Sequence, residues 1–569
     1  MRKSKKIVSL LLATMLVGGG TLAGCNKNGN EHGNATVITI MNTGGGVGRA
    51  WLDQAIKRFK AARADHSYEE GKMGVSFEVE HNMSTSVATM ATSGYNIYFD
   101  AASPTTLSLA AQNSVLCIDD IVKEKIDTRD GKQVSIEDKI NVDYRAALKG
   151  ADDKYYSLPH FALYSGLTYN VDLFEKANLY LAAPDQSGDK VETEDCDYGT
   201  FDFAVLSKGG KKSCGNDGEY GTYDDGLPTT LKEFFVLCNR MSDKSIEPVH
   251  FSGKSNGYVK YFFDALWTSL SGGYEAAATR YTYTGNVECL TGYSEDEDAF
   301  EGIDYIKKPL TETQKIDRST GYLANDNVAR YYACATLEVL EEEGWFSGDS
   351  ETGTVTHIDA MYNFIFSGKG KDNAEKGMFI EGDYWYNEAR DNDVIEEYEL
   401  VTKDKNRRVA WMPLPTAVDE VVTEGNGREY CMINETCNYA FINANISDNK
   451  ALVDACKDFL QFCYTDAELS HFTGCTGVSK AGMNYDVLEE DEKRFSYFNA
   501  SVIECRNDDN TKIVDAYKDA LYNANIDYPT LASKKYNGYL NVLRSTSYGT
   551  KDIFEATRTK ENGWGVENL

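Results

Sequence analysis

Basic residues are scarce in this chain of 569 residues: 58 Lys and Arg stand against 89 Asp and Glu, a formal net charge of −31. Such a surface repels phosphate backbones and anionic headgroups, so nucleic acid is excluded as a partner. Histidine is rarer still. Seven are scattered along the chain, without metal-ligand spacing and without a His-Glu-x-x-His pair, which removes the common zinc chemistries. No Cys-x-x-Cys pair occurs. The twelve cysteines beyond Cys25 spread from Cys117 to Cys505, too thinly for a dense disulfide framework. Cys456 and Cys463 sit at helical spacing among apolar residues, so mostly reduced thiols packed as small hydrophobes are expected. After the first 25 residues no apolar run is long enough to cross a bilayer. The glycine run Gly44-Gly-Gly46 is not followed by the Lys-Ser/Thr of a phosphate loop and completes no dinucleotide fingerprint. No internal repeat is found.

What the chain has begins at its start. Arg2, Lys3, Lys5 and Lys6 precede a short apolar run, Ile7 to Val17, then Gly18-Gly-Gly20 and Leu22-Ala-Gly-Cys25. A basic start, a run too short to span a membrane and small residues before a cut site make an export signal over residues 1–24. The tetrapeptide resembles a bacterial lipobox, in which the cysteine is acylated on sulfur and becomes the new N-terminus. The expectation is lipidation (palmitate) at Cys25 and a polar, Gly/Asn-rich tether over 25–35. The protein would then sit on the extracellular face of the cytoplasmic membrane, held by lipid alone, as in a Gram-positive cell. The remaining length suits two to four domains.

Thr36 to Met41 reads as a buried strand, and a helix with Trp51, Leu52, Ala55, Ile56 and Phe59 on one face follows the glycine loop. Val75–Glu80 and Tyr95–Phe99 read as further strands, and the alternation predicts a parallel α/β sheet. Residues 184–228 have little periodicity and read as an insertion, and 281–326 is acidic and poorly patterned. Thr230-Leu-Lys-Glu233 spells a capping box that opens a helix with Leu231, Phe234, Phe235, Cys238 and Met241 on its apolar stripe. A strongly amphipathic helix carries Leu452, Ala455, Phe459, Leu460 and Cys463.

Five landmarks in order resemble the extracellular solute-binding proteins of the family that includes maltose-binding protein, over most of residues 36–545. They are the strand, glycine loop and Trp51 helix; Lys154-Tyr-Tyr-Ser-Leu-Pro159 running into Leu167-Thr-Tyr-Asn170 and Asp172-Leu-Phe174; and Leu227-Pro-Thr-Thr-Leu-Lys-Glu-Phe234. The last two are Gly377-Met378 with Gly382 and Tyr384-Trp385, and Ala455–Phe462 with Gly474–Ser479. The resemblance implies a two-lobed α/β fold of the periplasmic-binding-protein (Venus flytrap) type, with a ligand cleft between the lobes. Residues 36–158 and 440–495 would form one lobe, and 160–437 with 500–569 the other. It also implies a non-catalytic receptor of an ABC importer, with permease subunits as partners and a mono- or oligosaccharide as ligand. The lobes would close by a hinge.

A sugar needs flat rings for its C–H faces and polar groups around its rim. The chain offers 37 Tyr, 24 Phe and 6 Trp. Tyr384 and Trp385 stand where the resemblance puts a stacking aromatic. Asp100 ends an apolar strand, where a carboxylate can face the cleft. His160 follows Pro159 at the presumed crossing between lobes. Glu381 and Asp383 flank Gly382 as hydroxyl acceptors, and Tyr539 offers a ring from the C-terminal segment. No cofactor is required. One local sequence, Asn216 to Gly226, gathers Asp217, Asp224 and Asp225 among glycines, and is a candidate calcium loop without the full spacing of an EF-hand. Two other readings stay open: a receptor for peptide or another nutrient on the same fold, and a surface polysaccharide hydrolase using paired carboxylates.

Overall fold

The computed structural model describes residues 34–82, 92–100, 106–127, 132–254, 257–369, 374–435, 438–516, 540, 543–544 and 548–558. The export signal, Cys25, most of the tether and Tyr539 lie outside the described residues. The first sheet runs in the order Val75–Asn82, Thr36–Thr43, Ile97–Asp100, Tyr439–Ile442, Leu158–Pro159. Thr36–Thr43 is parallel to both of its neighbours. The helix Ala50–Ala62 buries Trp51, Leu52, Ala55 and Phe59 on this sheet, and the helix Lys450–Phe462 buries Ala455, Cys456, Phe459 and Leu460. The two helices meet edge to face through Phe59 and Phe459, 5.1 Å between ring centres. Each such buried ring contributes roughly 1.5–3 kcal/mol.

The second sheet runs Glu247–His250, Lys376–Gly382, Ser165–Asn170, Val409–Met412. Beside it, Tyr430–Asn434 pairs in parallel with Thr511–Asp515. The helix Leu231–Asp243 opens on the expected capping box. Glu233 Oε2 accepts the amides of Thr229 and Thr230 at 2.8 and 3.0 Å, and Thr230 Oγ1 accepts the Glu233 amide at 3.1 Å.

Both sheets are mixed, where alternation along the sequence predicts parallel strands. The reason is that the chain returns. Tyr439–Ile442 arrives from the other lobe and enters the first sheet antiparallel, with Tyr439 opposite Asp100 and Pro159. Ser165–Asn170 likewise runs against both of its neighbours. The crossing segments lie side by side: the His160 amide donates to Asn438 O at 3.0 Å, the Glu435 amide to Leu163 O at 2.9 Å, and the Ala162 amide to Ser479 O at 2.8 Å. The backbone polar groups of these strands between lobes are thereby partly satisfied by one another.

Two stretches without clear pattern are hairpins. The 184–228 region contains Val191–Cys196 paired with Gly199–Ala204. The acidic interval holds a ribbon of Gly285–Phe300 on Ile303–Ile316, with register shifts after Leu290, Tyr293 and Asp298. Those shifts and the half-exposed faces erase the two-residue alternation that marks a strand. Cys437 lies outside the described residues, and the described cysteines are all free and mostly buried.

Candidate functional site

The strand Lys376–Gly382 is buried along its whole length and delivers acids at its carboxyl end. Glu381 is fully buried. Its Oε2 accepts the Gly382 amide at 2.9 Å, the Tyr258 hydroxyl lies against the same carboxyl, and Oε1 has no hydrogen-bond partner among the described residues. Burial, then the nearby Glu388 carboxylate, push its pKa well above the usual range. Asp383 is locked to the first crossing: its Oδ1 accepts the Tyr164 amide at 3.0 Å and its own amide donates to Tyr164 O at 2.9 Å. Its Oδ2 has no partner among the described residues, and burial raises it to about 7.

Tyr384 caps the helix Trp385–Asp391. Its ring lies over Gly382, where a Cβ would come within 2.5 Å of the ring, so this approach requires glycine. Glu381, Tyr261, Glu388 and Tyr258 surround its hydroxyl. Tyr258 and Tyr261 come from the helix Gly257–Ser269. Glu435, at the end of Tyr430–Asn434, completes the group. Its Oε1 is without a partner among the described residues, and burial raises its pKa to about 7 against the pull of Lys260.

The first lobe meets this cluster through its glycine loop. The Gly46 amide donates to Glu388 Oε1 at 2.5 Å, and Asn387 Nδ2 donates to Gly46 O at 2.9 Å. Gly46 has φ +71°, and a Cβ there would stand 3.0 Å from the Phe161 ring, so the loop demands glycine on two counts. Nearby, Arg390 donates to Cys475 O at 2.8 Å. Asp100 ends its strand next to this loop, accepting from Thr43 Oγ1 at 3.4 Å.

Three expectations are corrected. Trp385 is not a cleft ring: it packs among Phe364, Phe379 and Phe498, and its Nε1 donates to Thr168 Oγ1 at 3.0 Å. His160 is enclosed by Trp51, Phe99, Phe161 and Phe472. Its Nδ1 lies 3.2 Å from Lys480 Nζ, and burial holds its pKa well below the usual value. The acidic loop closes on its own amides. Asp224 Oδ2 accepts from Asn216 and Asp217, Asp217 Oδ1 from Glu219, and Asp225 Oδ2 from Gly221. Among the described residues no group of three or more His, Cys, Asp or Glu is placed to hold a metal ion.

Tyr258, Tyr261, Glu388 and Glu435 were not singled out by sequence. Glu388 carried a signal: it follows Tyr384 by four residues, one turn into the helix Trp385–Asp391, which places the two on one side of the helix start. Gly253-Lys-Ser-Asn-Gly257 spells the Gly-x-Ser-x-Gly of hydrolases. A nucleophile elbow joins strand directly to helix, whereas here the strand ends at His250 and the helix begins at Gly257. Ser255 lies outside the described residues.

No protein-family model matches the chain, and no curated protein does. Solved structures do. A chitin oligosaccharide binding protein is 13% identical, with a TM-score of 0.51, over 92% of this chain and 98% of that one. A probable secreted solute-binding lipoprotein from Streptomyces coelicolor is 12% identical, with a TM-score of 0.51, over 92% and 97%. The class defined by this architecture is the α/β, two-lobed solute-binding fold. At these identities the likeness is one of fold.

Proposed function

We propose that this chain is the lipid-anchored extracellular receptor of an ABC importer, that it captures a carbohydrate between its lobes, and that it catalyses nothing. The observation that carries this reading is the composition of the seam: Tyr258, Tyr261 and Tyr384 beside carboxylates with unpartnered oxygens, next to Glu388, which the glycine loop of the other lobe contacts. Rings and acceptors in one place are what a saccharide's C–H faces and hydroxyls require. The fold neighbour that binds chitin oligosaccharide supports the same ligand class. The Leu22-Ala-Gly-Cys25 tetrapeptide supports the anchor, and permease subunits are the partners such a receptor delivers to. Fold alone does not fix ligand.

A thermal-shift panel of mono- and oligosaccharides and peptides, with the wells analysed for released sugar, tests the reading. Saturable stabilisation by one glycan class without turnover is expected, since a ligand that binds only the folded state stabilises by mass action. Stabilisation by peptides alone, or reducing sugar appearing in the wells, would replace it.

A further inference from the structure

We propose that the second lobe carries a binding site of its own for a neutral mono- or disaccharide, separate from the seam. This site goes beyond the receptor reading above and does not require it. It is a cavity of about 540 Å³, inside the range of about 300–1,000 Å³ usual for small-molecule pockets. None of Gly46, Glu381, Tyr384 or Glu388 lines it. Its walls come from the tips of the two hairpins, the first turn of the helix Leu231–Asp243, the helix Val328–Glu342 and residues 417–420.

Glycines let these pieces meet. Gly302 has φ +77°, and a Cβ there would stand 2.5 Å from Asp197 O at the tip of the other hairpin. Gly199 has φ +130°, and a Cβ there would stand 2.6 Å from Lys232 Cε. Residues 417–420 are tied to the helix start, where the Leu231 and Lys232 amides donate to Ala417 O and Val418 O at 2.9 and 3.0 Å. One wall is a continuous run of rings. Tyr198, Phe235, Phe300 and Tyr332 follow one another at 5.7, 5.0 and 5.9 Å between centres, and Tyr332 is only partly buried.

The opening is charged. Lys232 Nζ lies 2.7 Å from Glu301 Oε2, and the exposed Asp419 acts on both Lys308 and Tyr332. Four carboxylates and two ammoniums line the cavity, and Lys232 and Lys308 are already paired with Glu301 and Glu297. An anion would meet net negative charge. A cation would compete with the two lysines for the same acids. An apolar ligand would strip water from the charged rim and return no hydrogen bonds. A sugar hydroxyl both donates and accepts, so it answers an adjacent ammonium and carboxylate together, while its C–H face suits the wall of rings.

The test is hydrogen exchange read by mass spectrometry on the full chain, titrated with maltose, cellobiose and N,N′-diacetylchitobiose, and with glucose 6-phosphate and spermidine as charged probes. At least one disaccharide is expected to protect 196–201, 297–302 and 416–420 together, with neither charged probe doing so. Asp419→Ala and Lys308→Ala alter exposed side chains, and each is expected to raise the midpoint of that protection roughly tenfold, the factor of one hydrogen bond to a charged group. No protection of the three segments by any disaccharide, protection by a charged probe alone, or unchanged midpoints in both variants would overturn the proposal. Protection of the seam alone would overturn it and leave the receptor reading standing; protection of the cavity alone would uphold it and overturn that reading.

Discussion

Glu388→Ala tests how the lobes hold each other. In the structure Glu388 Oε1 accepts the Gly46 amide across the seam at 2.5 Å, and burial of this carboxyl raises its pKa while the amide bond lowers it. When the lobes part, water can solvate that amide; when they close on alanine, the amide loses its acceptor. An unsatisfied buried donor costs about 1–3 kcal/mol, charged only to the closed form. At about 1.4 kcal/mol per factor of ten, about 2 kcal/mol lowers the ratio of closed to open molecules roughly 30-fold. The Asn387–Gly46 bond at 2.9 Å remains and keeps the loss partial. Small-angle scattering of the unliganded chain reads the outcome as a larger radius of gyration for the variant, with the cooperative unfolding of each lobe unchanged. A scattering curve identical to that of the wild type would mean that this bond does not hold the lobes together.

Lys480 is buried among Trp51, Tyr464 and Phe472, 4.0 Å from the centre of the last ring. Burial lowers its pKa to about 7. Below pH 7 the folded and unfolded states both hold the proton, so the burial cost is carried in full. Between about 7 and its ordinary value near 10.5 the folded form sheds the proton first, so stability rises with pH there. Lys480→Met is therefore expected to stabilise by on the order of 3 kcal/mol at pH 6, with the gain shrinking towards pH 10; denaturant titrations with parallel pH profiles would contradict this. Glu233→Ala strips the acceptor from two buried amides and from Thr229 Oγ1, and is expected to cost about 2 kcal/mol in the unfolding of the second lobe. Chelator is expected to leave the melting temperature unchanged, because Asp217, Asp224 and Asp225 each give an oxygen to loop amides and no group of three or more His, Cys, Asp or Glu among the described residues is placed to hold a metal ion; a fall would restore calcium to that loop.

Local chemistry was legible in the sequence. The Thr230–Glu233 box, the Trp51 helix and the Lys450–Phe462 stripe depend on residues within one or two turns, and the structure has them where the pattern puts them. The antiparallel entry of Tyr439–Ile442 was not legible, since its direction is set by a partner strand more than 300 residues earlier. The long ribbon of 285–316 was hidden for a different reason: neither face is wholly buried, and its bulges break the alternation. At the candidate site, Glu381, Asp383 and Tyr384 stood out in the sequence because they surround one glycine. Trp385 misled because adjacent residues at a helix start point in different directions, one to the seam and the other into the core. Tyr261 and Glu435 come together only through tertiary packing of a helix on a crossing, which no spacing records.

A saccharide held by both lobes at once must shield backbone amides in each of them. Hydrogen exchange read by mass spectrometry, with and without a saturating oligosaccharide, tests it most directly. Simultaneous protection of Gly44–Gly46 in the first lobe and of the helices Trp385–Asp391 and Gly257–Ser269 in the second is expected. Protection confined to one lobe, or no protection in either, would contradict it.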